Sequence, residues 1–495
     1  MCIIMKTTNI VSVCILAALL LSSVGCGETG AETETAAGGT AAETLSRETE
    51  SPYPDSIPLG LDFGGRSVKL HAGLFNEHVK DPMSHYSVEA ETGDIVNDAV
   101  YRRNQTVEER FNCSLVYDGL EFDYGGRMEE MNYVTNSLMA GDNAFDAVFE
   151  IVHLLPSYIT SGALYDMHDM KYIDLEAPWW MQKYNAVAER NGNLYFAVGD
   201  ITMGIYYSPY AFFFNKQLIN DLDLEDPYAL VRDGKWTVDQ LIAMSKAGYA
   251  DLNGNSKVDA EDRLGCVIQS GNEIQGFIES CGVSFITVGA DGTAEYTFGC
   301  EHNTEVVDKL YRLLYETEGS LYVGKQVTPD QHQFCQGQTV FNGSWLTAMD
   351  YYRELNFDFG LIPYPKYDEA QTAYATHLGT ACPAVCVPVT CSDPDAVSAV
   401  LEALASEGYR TLRTAYFDTA LKEKYSRDED TKEMIDLLIS GISVDFGDIY
   451  VYTLSGLTDE FKNLLGGRSR DLASIAAKLE KNVNAKLEEL LAALG

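Results

Sequence analysis

The stretch DLNGNSKVDAED, Asp251 to Asp262, carries side chains that could hold a metal ion. Asp251, Asn253 and Asn255 stand at its positions 1, 3 and 5, Asp259 at 9 and Asp262 at 12. That is the donor rhythm of a calcium loop, in which position 7, here Lys257, gives its backbone carbonyl and position 9 acts through water. Two departures bear on it. Ser256 stands where a glycine usually eases the sharp turn, and Asp262 where a longer glutamate usually grips with both oxygens. The preceding segment WTVDQLIAMSKAGYA reads as a helix with Thr237 at its N-cap, whereas RLGCVIQ after the loop reads as a strand. The exiting helix of an EF-hand is therefore missing. Two readings stand: a structural calcium ion that staples one lobe, or an Asn/Gly turn without metal.

Other chemistry is harder to find. GSLYVGKQ, Gly319 to Gln326, nearly spells a phosphate-binding loop, but Gln326 replaces the Ser or Thr that must hold magnesium, and the stretch follows a helix rather than a strand. There is no HExxH and no GxSxG. Carboxylate pairs for glycoside hydrolysis are defined by their separation in space, and among 74 Asp and Glu residues a sequence pair carries no information. The reading is of a protein that is not an enzyme. With 35 Lys and Arg the net charge is −39, which argues against nucleic acid, since phosphate binding needs clustered cations. The aromatic supply is large: 30 Tyr, 20 Phe and 4 Trp, enough to serve both a core and a binding surface.

The elements that would position such residues alternate from about residue 58. SVKLHAGL and CSLVYDGL read as strands, and FDAVFEIV is a continuous apolar run of the kind found in buried parallel strands. DIVNDAVYRRNQTVEERFN and EEMNYVTNSLMAG read as helices, the second stopping at Gly141. This is βαβ logic, parallel strands covered by helices. In 495 residues, 46% of them hydrophobic, there is room for two lobes. At the far end Leu472, Ile475, Leu479, Val483, Leu487 and Leu490 share one face of an amphipathic helix. Glu150 and His153 follow the strand FDAVF. Strand C-terminal ends face the crevice in α/β sheets, so both are candidates to hydrogen-bond a ligand there.

The N-terminus reads as a targeting segment. Lys6 supplies a positive charge, IVSVCILAALLL an apolar stretch short for a membrane span, and LSSVGC resembles a bacterial lipobox ending at Cys26, with Ser23 where Leu is usual. Residues 1–25 are the expected lipoprotein signal peptide, with Cys26 the lipidated residue. Residues 26–57, rich in Glu, Thr, Ala and Gly, are the expected disordered tether, with a reach of roughly 30 Å. Of the remaining cysteines, most are expected to be buried and inert; disulfides are permitted in an exported protein, and their connectivity is open.

Taken in order, several blocks resemble the extracellular solute-binding proteins of bacterial ABC importers, in particular the sugar-binding lipoproteins. They are ETGDIVNDAVYRRNQTVEERFN, FDAVFEIVHLLPSYITSGALYDM, APWWMQKYNAVAERNGNLYFAVGD, FFFNKQLIND, PYALVRDGKWTVDQL, FNGSWLTAM and DFGLIPYPKYDEAQTAY, and the resemblance spans residues 58–495. It implies an α/β, two-lobed periplasmic-binding-protein-like fold with hinge crossovers and a ligand cleft. The lobes are expected at 58–155 plus 376–425 and at 156–375 plus 426–495. It also implies an extracytoplasmic, membrane-anchored receptor that binds a mono- or oligosaccharide and delivers it to permease subunits. The resemblance points to Trp345 in FNGSW as the residue set against sugar. Tyr206, Tyr207 and Tyr210 lie in IYYSPY near the crossover region, where alternate ones would face the cleft, and Asp200 reads as either a hydroxyl acceptor or a turn residue. Tyr450 and Tyr452 would share a face if DIYVYTL is extended. Trp179 and Trp180 read as structural. Two alternatives stay open: a surface glycan-binding lipoprotein without a transporter, and a glycoside hydrolase. Within the fold, a peptide or other non-sugar ligand is a third.

Overall fold

The computed structural model describes residues 53–495, apart from 77–80, 290–291, 326, 380–381 and 426–427. Cys26, the signal peptide and nearly all of the tether lie outside the described residues.

Three strands open the chain: β1 (Arg66–Phe75), β2 (Cys113–Phe122) and β3 (Ala147–Ile151). The middle supplies β4 (Tyr210–Asn215), β5 (Leu264–Gln269), the hairpin β6 (Ile286–Val288) and β7 (Ala294–Tyr296), then β8 (Ser320–Val323), β9 (Thr339–Trp345) and β10 (Phe359–Ile362). Last come β11 (Thr376–His377), β12 (Pro383–Cys386) and β13 (Ile442–Ser443). They make two main sheets, β12-β3-β1-β2 and β10-β4-β9-β5-β8. Each sheet has a parallel centre: β1 runs parallel to β2 and β3, and β5 runs parallel to β8 and β9. Each also has antiparallel company at one side, β12 on β3 and β4 on β9. A parallel ribbon of β11 and β13 lies where the chain crosses between them.

Local chemistry explains the elements. Every residue of β3, β4 and β5 is buried, which is what their unbroken apolar runs require of strands covered on both faces. The helix Ile95–Phe111 starts where Asp94 accepts from the backbone N–H of Val96 and Asn97. Thr237 caps Val238–Gly248 by accepting from Gln240 N–H at 3.2 Å, and Arg127–Ala140 stops at Gly141 in the left-handed region. The terminal helix, Leu472–Leu494, buries Leu472, Val483, Leu487 and Leu490 on one stripe.

The lobe boundary expected after residue 155 is followed by a segment that pairs with the first sheet. The segment 164–200 hydrogen-bonds along β12 and its extension: Tyr165 N–H donates to Val387 O at 2.8 Å, and Ala197 and Val385 exchange both backbone bonds at 2.9 Å. The indoles of Trp179 and Trp180 donate to the two oxygens of buried Glu402, at 2.9 and 3.0 Å, on the helix Pro394–Glu407. These ties to a strand and a helix some two hundred residues later hold the segment against the first sheet.

Candidate ligand-binding site

The parallel strand ends of both sheets converge on one cleft of about 560 Å³, within the range of small-molecule sites. Tyr124 follows the end of β2, and His153 the end of β3. From the other sheet Ser270, Gly271 and Asn272 follow β5, and Tyr322 and Gly324 close β8. The last wall is the segment Asp448–Tyr452 and the helix Leu457–Gly466, which offers Lys462 and Asn463. Gly271 makes the turn out of β5 possible: its φ of 83° and ψ of −131° lie where side chains are not tolerated. The helix Asn272–Ser280 that it starts has no side-chain cap.

Asp448 is the hub of the cleft floor. Its carboxylate accepts from Gln275 Nε2 at 2.9 Å and from the Thr458 hydroxyl at 2.7 Å, and His153 Nε2 stands 3.6 Å away. Burial works to raise its pKa, but the His153 and His377 imidazoles and the Thr458 hydroxyl together hold it well below the usual carboxylate range. Tyr452 meets His153 edge-on, with centroids 5.9 Å apart, and its ring also lies 5.1 Å from the Arg127 guanidinium. Flat aromatic area from Tyr124, Tyr322 and Tyr452 is thus set among amide, hydroxyl and carboxylate groups. That combination suits a polyhydroxylated ring, apolar on its face and polar on its rim.

Behind the floor lies a buried group of donors. One ligand atom each from Glu279, His377 and Asp448 lie within 4.8 Å of one another, a cluster able to coordinate a metal ion.

Of the residues expected from sequence, His153 and Tyr452 line this cleft. The others are elsewhere. Glu150 does not follow its strand but lies in β3, and its side chain is wholly buried among Glu130, Tyr158 and the Ile151 N–H. Burial, and then the neighbouring Glu130, hold its carboxyl well above the usual range. Gly73 on β1 leaves it room, since a Cβ there would stand 2.5 Å from its Oε1. Trp345 is the last residue of β9; it is 6% exposed and meets Tyr210, its cross-strand partner, edge-on at 5.9 Å. Tyr206 and Tyr207 lie on a short helix, Gly204–Tyr207, so alternation does not sort them. Tyr206 donates to Asp200, and both face a second cavity of about 590 Å³ with Trp180, Arg413 and Phe417. Tyr207 stacks on His85 at 4.6 Å. The chain at 446–449 is helical and the following residues form turns, so Tyr450 and Tyr452 do not share a strand face. Tyr450 is buried and donates to Ala188 O at 3.3 Å.

In the 251–262 loop, Asp251 accepts from the N–H of Gly254 and Ser256 at 2.6 and 2.8 Å. Ser256 takes the left-handed conformation, φ 59°, that position 6 of a calcium loop demands. Asp262 is buried and accepts from Leu252 N–H and Tyr249. Asp259 accepts from the side-chain amides of Asn253 and Asn255 at 3.1 and 2.7 Å. All eight cysteines among the described residues are free, six of them buried.

The chain matches no protein-family profile and no curated protein. Solved structures do match its fold. An ABC substrate-binding protein from Listeria monocytogenes, in complex with cycloalternan, aligns with a TM-score of 0.55 at 16% identity, over 86% of this chain and 99% of that one. The cyclic α-maltosyl-1,6-maltose binding protein of Arthrobacter globiformis aligns with a TM-score of 0.57 at 14% identity, over 86% and 99%. UgpB from Mycobacterium tuberculosis, in complex with glycerophosphocholine, aligns with a TM-score of 0.53 at 14% identity, over 86% and 98%. The fold is that of the periplasmic-binding-protein-like class, two sheet-containing lobes shared with ABC solute-binding proteins.

Proposed function

We propose that the chain is a solute receptor of an ABC importer, capturing a carbohydrate between its lobes and presenting it to permease subunits without chemical change. The observation that carries this is the convergence of strand ends from both sheets on a cleft with Tyr124, Tyr322 and Tyr452 among polar groups. In open α/β sheets ligands bind outside the carboxyl ends of the strands. Two structures that share the fold are, by their descriptions, a cycloalternan complex and a cyclic-maltosyl-maltose binding protein. Lobe closure on the solute would signal loading. Anchoring through Cys26, in LSSVGC, would hold the receptor at the outer face of the membrane.

The test is a thermal-shift panel of mono- and oligosaccharides on the full chain. Binding to the folded state stabilises by mass action, so a true ligand raises Tm with dose. The absence of any dose-dependent carbohydrate hit, or release of cleaved products, overturns the reading. For the 251–262 loop the proposal is a calcium ion that staples the link between the helix Val238–Gly248 and β5, supported by the Ser256 conformation.

A further inference from the structure

Three elements bring metal-ligating side chains together just behind the cleft floor. Glu279 comes from the helix Asn272–Ser280, His377 from β11 in the crossover ribbon, and Asp448 from the short helix Phe446–Ile449. Their ligand atoms lie within 4.8 Å of one another, and all three residues are buried, at 7%, 2% and 4% exposure. His153, on the turn after β3, stands beside this group of three, with Nε2 3.6 Å from Asp448 Oδ2. Independently of the cluster, His377 Nε2 is buried with no hydrogen-bond partner among the described residues. A buried imidazole nitrogen without a partner is costly, and native structures rarely leave one without a reason.

We propose that this cluster is a binding site for a divalent transition ion, zinc above all, ligated by Glu279, His377 and Asp448 with His153 as the fourth donor. The donor set decides the class. Two imidazoles with two carboxylates suit zinc and its neighbours, whereas calcium and magnesium take oxygen donors. The outer partners of a metal site are already in place: Gln275 Nε2 and the Thr458 hydroxyl orient Asp448, and Ser443 Oγ donates to Glu279 Oε2 at 3.1 Å. Entry is through the cleft, which Asp448 and His153 line. A tetrahedral zinc spaces its donors about 3.4 Å apart, so the ion draws the side chains inward.

The experiment uses the full chain, stripped with a chelator and titrated without any sugar. Zinc is expected to bind at one equivalent and raise Tm, with calcium and magnesium at the same concentration giving no shift at this site in a variant whose loop is silenced by Asp251→Asn. Cobalt, replacing zinc, is expected to give the visible absorption of a four-coordinate site. His377→Gln and Glu279→Gln, chosen to keep shape, are each expected to weaken zinc binding at least tenfold while circular dichroism stays native. Zinc binding unchanged in both variants, or no stoichiometric binding by the wild-type chain, overturns the proposal. Sugar titration is a separate measurement, so failure here leaves the cleft reading standing on its own test.

Discussion

His153 Nε2 stands 3.6 Å from Asp448 Oδ2, and the two residues come from opposite sides of the cleft. His153 is carried by the turn after β3 of the first sheet, and Asp448 by the short helix that follows the crossover ribbon. The pair joins the lobes at the floor of the site, where Tyr452 packs edge-on against the same imidazole. Relative motion of the lobes has to stretch or keep this contact.

Trp345→Ala is expected to damage the fold before it damages binding. The side chain is 6% exposed and packs on Tyr210, and truncating a buried tryptophan costs about 3–5 kcal/mol. Urea denaturation checks this. A variant with unchanged midpoint and weakened sugar binding would return Trp345 to the ligand surface.

Asp200 gives stability a pH dependence of known sign. Burial pushes its carboxyl up to about 6 from 3.8, against the pull of the Arg413 guanidinium and the Tyr206 hydroxyl. Between those values the folded chain holds a proton that the unfolded chain has released. The contribution is therefore complete below about pH 4 and is lost as pH rises through about 6, amounting to roughly 3 kcal/mol by pH 7. Asp200→Asn, which still accepts from Tyr206, is expected to flatten the slope of unfolding free energy between pH 4 and 7. Parallel slopes in the two proteins would contradict the assignment.

The calcium loop is expected to raise Tm in millimolar calcium relative to chelator, with affinity in the weak extracellular class, roughly 10⁻⁴ to 10⁻³ M. Asp251→Asn removes a carboxylate at position 1 and is expected to abolish the shift. An identical Tm with calcium and with chelator would leave a hydrogen-bonded turn and no ion.

The alternating architecture was legible because its signals are local. FDAVFEIV and LGCVIQ are buried apolar runs, Thr237 is a cap, and Gly141 is a stop. The strand-end rule that found His153 also reaches Tyr124, after β2, and Ser270 to Asn272, after β5, had it been applied to every parallel strand. Alternation did not place Tyr206 and Tyr450, because spacing fixes a face only once the conformation is known, and both stretches are helical or turned rather than extended. Lys462 and Asn463 left no trace in sequence, since their place in the cleft depends on how a late helix packs against two sheets. The pairing of 164–200 with β12 was equally hidden, being a contact between distant stretches with no local mark.

The most direct test of the central claim is calorimetric titration of the full chain, wild type and Tyr452→Ala, with the best carbohydrate from the panel, with the solution then analysed for products. The account predicts saturable one-to-one binding by the wild type, at least tenfold weaker binding by the variant, and intact sugar recovered from both. Equal affinity in the two proteins, or cleaved sugar in the wild-type cell, would contradict it.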